Sequence, residues 1–85
     1  MVKVRDAYSL GIGLKAARLK AGLTQAGLAE RSGVSRRTII NVENGHPAGE
    51  IGRIITIARA LGLAMVLEEA SDTEDVEIDL KWGDL

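Results

Sequence analysis

The chain has 85 residues and a formal net charge of −1, with no Cys, no Phe and a single His. This length allows one small domain and excludes a multi-domain enzyme. The Cys and His counts exclude disulfides, a zinc site built on these residues and a catalytic triad, so we expect neither a metal nor a cofactor. No apolar run approaches the roughly 18 residues of a membrane span, and residues 1–6 lack the apolar stretch of a signal peptide. The sequence therefore predicts a cytoplasmic protein with no membrane partner.

The near-neutral total hides two blocks of opposite charge. Residues 1–63 contain ten Lys or Arg against four Asp or Glu, a net charge of +6, whereas residues 64–85 contain one Lys against eight acidic residues, a net charge of −7. A basic block followed by an acidic one indicates a body that binds a polyanion and a C-terminal segment with a separate role. We expect residues 1–62 to form the binding domain and residues 63–85 a C-terminal strand and acidic tail.

Three helices are predicted in the first half of the chain. The first begins at an N-cap, Ser9, and ends at Gly22, because apolar residues recur on one helix face at Leu10, Leu14, Ala17 and Ala21. Thr24 caps a second helix, and Gly33 can adopt the positive φ that a tight turn needs. Ser35 then caps a third helix, Arg36 to Asn44.

A fourth helix and two strands are predicted in the second half. Apolar residues recur at helical spacing before Gly62, at Ile51, Ile54, Ile55, Ala58 and Leu61, and this most apolar helix is expected at the centre of the core. The pattern predicts a strand at Leu63 to Leu67 and a second strand in the alternating run that contains Val76, Ile78, Leu80 and Trp82. The two strands either pair as a hairpin or give an edge to a second copy of the chain.

The twenty residues from Gln25 to Asn44 follow the helix-turn-helix plan of two short helices joined by a tight turn. The runs Gly22-Leu23-Thr24-Gln25-Ala26, Leu28-Ala29-Glu30-Arg31, Gly33-Val34-Ser35 and Val42-Glu43-Asn44-Gly45 resemble the lambda repressor and Cro (XRE-type) superfamily, over roughly residues 9–62. The resemblance implies a mainly α fold, a four- to five-helix lambda-repressor-like DNA-binding domain followed by a short β-strand segment. A match to the G-x-G-x-x-G/A dinucleotide fingerprint at residues 11–16 is rejected, because no βαβ unit follows it.

Candidate DNA contacts lie mainly on the third helix. Arg36 and Arg37 offer two guanidinium forks at the helix start, and by resemblance these residues and Asn41 occupy base-contacting positions. Each could instead be an ordinary solvated residue. Amides, hydroxyls and a lysine that could contact the DNA backbone are Gln25, Thr38, Asn44, Lys15 and Ser35. The resemblance also pairs Arg18 with Glu43 as a structural ion pair.

Residues 58–67 resemble the HipB-type antitoxins. That resemblance implies a homodimer formed through Leu63, Met65, Val66 and Leu67, a double-stranded DNA operator, a HipA-type kinase toxin as a possible partner, and a bacterial or phage source with nucleoid association when bound to DNA. We therefore expect a non-enzymatic repressor that binds a palindrome as a dimer, as the antitoxin and autorepressor of a toxin operon. The alternatives are a stand-alone or phage-type repressor, and a protein-interaction module that has lost DNA binding. In the tail, Trp82 either anchors a returning strand or docks on a partner.

Overall fold

A computed structural model describes residues 3–70 and 77–82. Its elements are α1 (Ala7–Lys20), α2 (Gln25–Ser32), α3 (Arg36–Glu43), α4 (Ile51–Ala60), β1 (Leu63–Glu68) and β2 (Glu77–Trp82). The expected mainly α class with a short C-terminal strand segment is confirmed. Val76 and part of the acidic tail, residues 71–75 and 83–85, lie outside the described residues.

The core is built from aliphatic side chains of all four helices. Its most deeply buried members are Leu14 of α1, Leu28 of α2, Ile39 of α3 and Ile57 of α4, each no more than 1% exposed. Because each helix contributes one of these side chains, burial of apolar area holds the four helices together rather than any pair alone. This packing fixes the orientation of α2 and α3.

The start of α1 differs from the prediction that Ser9 is its N-cap. Asp6 is the N-cap, and its carboxylate accepts a hydrogen bond from the Ser9 backbone N–H at 2.7 Å, while the Ser9 hydroxyl accepts from the Asp6 backbone N–H at 3.1 Å. Ser9 is thus the N3 member of a reciprocal capping box. The backbone and side-chain hydrogen bonds from Ser9 lower the pKa of Asp6 below its ordinary value. Stability from this cap is therefore present above that ordinary value and is lost as pH falls through the lowered pKa.

The expectation that α4 lies at the centre of the core is wrong. Only Ile57 and Ala58 of this helix are buried, while Ile51 is 65% exposed and Ile55 is 42% exposed. Helix α4 contacts α2 and β1, and among the described residues no element covers the face that carries the two exposed isoleucines. Helical spacing identified an apolar side, but half of that side is at the surface.

The two strands form an antiparallel hairpin. Its register places Leu63 opposite Trp82, Met65 opposite Leu80 and Leu67 opposite Ile78. The hairpin that the sequence left open is present. Burial decreases along β1, from Leu63 at 4% exposed to Leu67 at 78% exposed, because the hairpin extends away from the helices.

Gly11 lies where α1 crosses the C-terminal end of α3. A Cβ atom at this position would lie 2.3 Å from the carbonyl oxygen of Val42 and 2.8 Å from that of Glu43. Both distances are shorter than van der Waals contact allows, so the helices approach this closely only because residue 11 has no side chain. Close helix packing, rather than nucleotide binding, explains this glycine of the apparent dinucleotide fingerprint.

We expect Gly11→Ala to destabilise the fold by about 1–3 kcal/mol, since the added methyl group must push the α3 backbone away. The matched control is Gly52→Ala in α4, where a Cβ atom would meet nothing within 4 Å. This control should be neutral or stabilising by up to about 1 kcal/mol. Urea unfolding followed by circular dichroism measures both, and equal midpoints for the two variants would contradict the close approach.

Candidate nucleic-acid interface

The α2–α3 unit is shaped by two caps and one glycine. The Thr24 hydroxyl accepts a hydrogen bond from the Gly27 N–H at 2.9 Å, and the Ser35 hydroxyl accepts one from the Thr38 N–H at 3.1 Å. Between the helices, Gly33 has a φ of 75°, in the left-handed region that favours glycine. The predicted caps at Thr24 and Ser35 and the predicted turn are confirmed, and together they set the angle between α2 and α3.

Helix α3 is divided sharply into a buried and an exposed side. Ile39, Val42 and Glu43 are buried, whereas Arg36, Arg37 and Asn41 are exposed. Arg37 and Asn41 are four residues apart and so share a face. The structure therefore places the predicted base-contacting residues together on the outer surface of the helix.

Arg36 and Arg37 occupy the first turn of α3 without a compensating anion. The turn contains no acidic residue, and among the described residues neither arginine makes an ion pair. The N-terminus of a helix carries partial positive charge, so two arginines there oppose the helix dipole. This arrangement is unfavourable for the isolated chain and becomes favourable when an external anion neutralises it.

Polar groups beside these arginines are partly used within the chain. The hydroxyls of Ser35 and Thr38 lie 2.9 Å apart and form a hydrogen bond, and Asn44 is the exposed C-cap of α3. Lys15 lies apart from this group. It is exposed on α1, on the same side as the exposed apolar residues Ile12 and Leu19. This side of the helix is opposite to its buried side.

A buried ion pair links three helices behind the exposed surface. Arg18 Nε donates to Glu43 Oε2 at 2.6 Å, and Arg18 Nη2 donates to Glu43 Oε1 at 3.0 Å. Arg18 Nη1 also donates to the Leu23 carbonyl at 2.7 Å, and Gln25 Nε2 donates to Glu43 Oε1 at 3.2 Å. The pair expected from the family resemblance is therefore present, and it joins the end of α1, the start of α2 and the end of α3.

Arg53 was not among the site residues predicted from the sequence, yet it lies beside α3 in the folded chain. A cleft of about 270 Å³ is lined by residues of α3, of the following loop and of the first turn of α4, among them Thr38, Asn41, His46, Glu50 and Arg53. No motif or spacing links Arg53 to α3, so only the packing of α4 shows this proximity. Among the described residues no helix could cross a membrane, and no cluster of His, Asp or Glu could hold a metal ion.

Comparison with known proteins agrees with this geometry. A model of the HTH_3 helix-turn-helix family matches residues 14–66. An uncharacterised HTH-type transcriptional regulator from Methanothermobacter thermautotrophicus (strain Delta H) is 51% identical over 45 residues, which cover 53% of this chain and 65% of that regulator.

Two solved structures of HipB are also similar. They are the HipB–O4 20mer complex and the O2 20mer complex of a single-substitution HipB variant, each with a TM-score of 0.77. Sequence identities are 30% and 31%, and the matches cover 84% of this chain and 100% and 99% of the HipB chains.

The class of protein follows from these matches and from the α2–α3 geometry: the fold is that of helix-turn-helix transcriptional regulators. Since the family model covers more than half of the chain, this protein belongs to the HTH_3 helix-turn-helix family. The predicted XRE-type, HipB-like resemblance is confirmed.

We expect Arg18→Met to destabilise the protein by about 3–5 kcal/mol, because it leaves the Glu43 carboxylate buried without its partner. The double variant Arg18→Met/Glu43→Leu should recover most of this loss. Arg53→Met serves as the matched control, since its ion pair with Glu50 is exposed and contributes at most about 1 kcal/mol. Thermal unfolding compares the variants, and equal losses for Arg18→Met and Arg53→Met would refute a structural role for the buried pair.

Proposed function

We propose that this protein is a DNA-binding transcriptional repressor that recognises an operator with α3. The observation that carries the proposal is the pair of exposed arginines, Arg36 and Arg37, which make no ion pair within the described part of the chain, in the first turn of a helix presented by a helix-turn-helix. The HipB likeness and the relative described as an HTH-type transcriptional regulator support it. No enzymatic role is part of this proposal, and we place the protein in the cytoplasm.

Recognition divides into base contacts and backbone contacts. Arg36 and Arg37 offer guanidinium forks that suit guanine, and the Asn41 amide suits adenine. The Gln25 Nε2 donates one hydrogen bond to Glu43, and we assign its second N–H to a phosphate. Additional backbone contacts are assigned to Ser35, Thr38, Asn44 and Lys15, of which Lys15 has the least structural support because it lies on the outer side of α1.

A homodimer is the proposed DNA-binding form. One domain reads only a few base pairs, whereas two domains related by a two-fold axis match a palindrome with half-sites about one helical turn apart. The surface suited to dimerisation combines Ile51 and Ile55 of α4 with Met65 and Leu67 of β1, and a groove of about 230 Å³ separates these two elements. Because β2 already pairs with one edge of β1, that edge cannot pair with a second copy. We therefore assign the dimer contact to packing of the apolar faces as much as to strand pairing.

The likeness to HipB extends the proposal to an antitoxin and autorepressor of a HipBA-like operon. The HipB matches cover 84% of the chain, and residues 64–85 carry a net charge of −7 and include Trp82, which we assign to partner docking. A kinase gene beside the gene for this protein, and a complex between the two products, would support a HipA-type partner. Without them, a stand-alone or phage-type repressor is the better description.

We expect Arg36→Ala and Arg37→Ala each to weaken operator binding by about 1–3 kcal/mol and to flatten the preference at one base pair. Fluorescence anisotropy with DNA from upstream of the gene, and with duplexes substituted one base pair at a time, measures both effects. Arg31→Ala, in the last turn of α2, is the matched control and should leave the sequence preference intact. If both α3 variants keep the full preference, the assignment of base contacts is wrong.

The outer faces of α4 and β1 should control dimerisation. Sedimentation at micromolar concentration is expected to show a dimer for the natural chain and monomers for Ile55→Lys and Leu67→Lys, because each places a charge in an apolar interface. Leu19→Lys, at an equally exposed position of α1, should remain dimeric. A monomeric natural chain would exclude this dimer, and loss of the dimer in Leu19→Lys alone would move the interface to α1.

A further inference from the structure

Arg53 borders α3 along the side that faces α4. It lines the cleft that contains Thr38, Asn41 and His46, and it also lines a second cleft of about 480 Å³ formed with the α2–α3 turn at residues 32–35 and with Thr56. These clefts lie on either side of Arg53, so its side chain is adjacent to both the turn and the outer side of α3. Arg53 is thus a cation at the rim of the proposed DNA-binding surface.

The guanidinium of Arg53 is held by an exchangeable partner. Its Nε lies 3.1 Å from Glu50 Oε2, and the two side chains are 57% and 71% exposed. Glu50 is the N-cap residue of α4, yet its carboxylate makes no capping hydrogen bond. An exposed ion pair three residues apart contributes little to stability, so another anion can replace the carboxylate at small cost. The ion pair therefore holds the guanidinium at the rim of the cleft, yet its weak contact with Glu50 can be exchanged for another anion.

We propose that Arg53 is a further phosphate-binding residue of the DNA interface, and that Glu50 holds its guanidinium until a DNA phosphate replaces the carboxylate. This inference rests on the proposed function. A planar guanidinium binds phosphate oxygens through two parallel N–H donors, which suits exchange of one oxyanion for another. Between residues 33 and 56 the acidic residues are Glu43 and Glu50. Because Glu43 is buried against Arg18, Glu50 is the exposed carboxylate of this region and the one that Arg53 pairs with.

Polar side chains form part of the cleft lining, beside Val42, Ala48, Gly49 and the Glu50 carboxylate. Thr38, Asn41 and His46 contribute hydroxyl, amide and imidazole groups, and the His46 Nδ1 accepts a hydrogen bond from the Ala48 N–H at 3.3 Å. The rim of this cleft thus presents donors that complement a phosphate backbone.

The test measures binding of the full chain to two duplexes, DNA from upstream of its gene and a scrambled duplex, at several salt concentrations. Arg53→Gln should weaken binding to both duplexes by about tenfold per protomer, through the loss of a charge-assisted phosphate contact. It should also reduce the slope of log K against log salt by about 1 per protomer. Glu50→Gln should strengthen binding to both, and the gain should vanish in the double variant Glu50→Gln/Arg53→Gln, because it acts through Arg53.

Three results would overturn the inference. Unchanged affinity and salt slope in Arg53→Gln, with Arg36→Ala still impaired, would show that DNA binds without Arg53 and would leave the proposed function intact. An equal gain from Glu50→Gln with and without Arg53 would show a general charge effect instead of an exchange at Arg53. If the natural chain binds neither duplex, the proposed function fails and the inference fails with it. Arg31→Gln, the matched charge change on α2, should reproduce none of the expected effects.

Discussion

The buried ion pair between Arg18 and Glu43 helps to fix the orientation of α3. One guanidinium binds both carboxylate oxygens of Glu43 and the Leu23 carbonyl, and Glu43 in turn accepts from the Gln25 amide. Burial of two charges is costly, and a hydrophobic pair of similar volume could stabilise the fold as well or better. What a hydrophobic pair could not do is hold α1, α2 and α3 in one directional network. We therefore attribute the pair's value to orientation: it sets the start of α2 and the end of α3 relative to each other.

The two ends of α3 differ in how they are held by the rest of the chain. The C-terminal end is fixed by Glu43 and by the close crossing of α1 at Gly11, where the helix backbones approach without an intervening side chain. The N-terminal end is capped by Ser35 but exposes Arg36 and Arg37 to solvent. The proposed contact with a DNA groove requires a helix in a fixed orientation, and the attachment at the C-terminal end of α3 provides it. The exposed cations at the other end can then reach the DNA, where phosphate contacts fix the register that base contacts depend on.

The local features of this fold could be predicted from the sequence, whereas the residues that pack around each element could not. The caps at Thr24 and Ser35 and the turn at Gly33 depend on residues adjacent in the chain, so they were predictable. Ser9 was misassigned because Asp6 and Ser9 can both cap a helix, and only the backbone shows which one begins it. The isoleucines of α4 gave the correct helix but the wrong burial, since periodicity identifies an apolar face and not what covers it. Arg53 could not be found because its proximity to α3 arises from packing between distant segments.

The central claim is that α3 and the start of α2 form the main contact with duplex DNA. Amide chemical shifts of the isotope-labelled chain, titrated with a duplex from upstream of its gene, test this claim most directly. We expect the largest changes at residues 35–41 and at Gln25, with smaller changes along α1. The reverse pattern, with changes concentrated on α1 and none in α3, would contradict it.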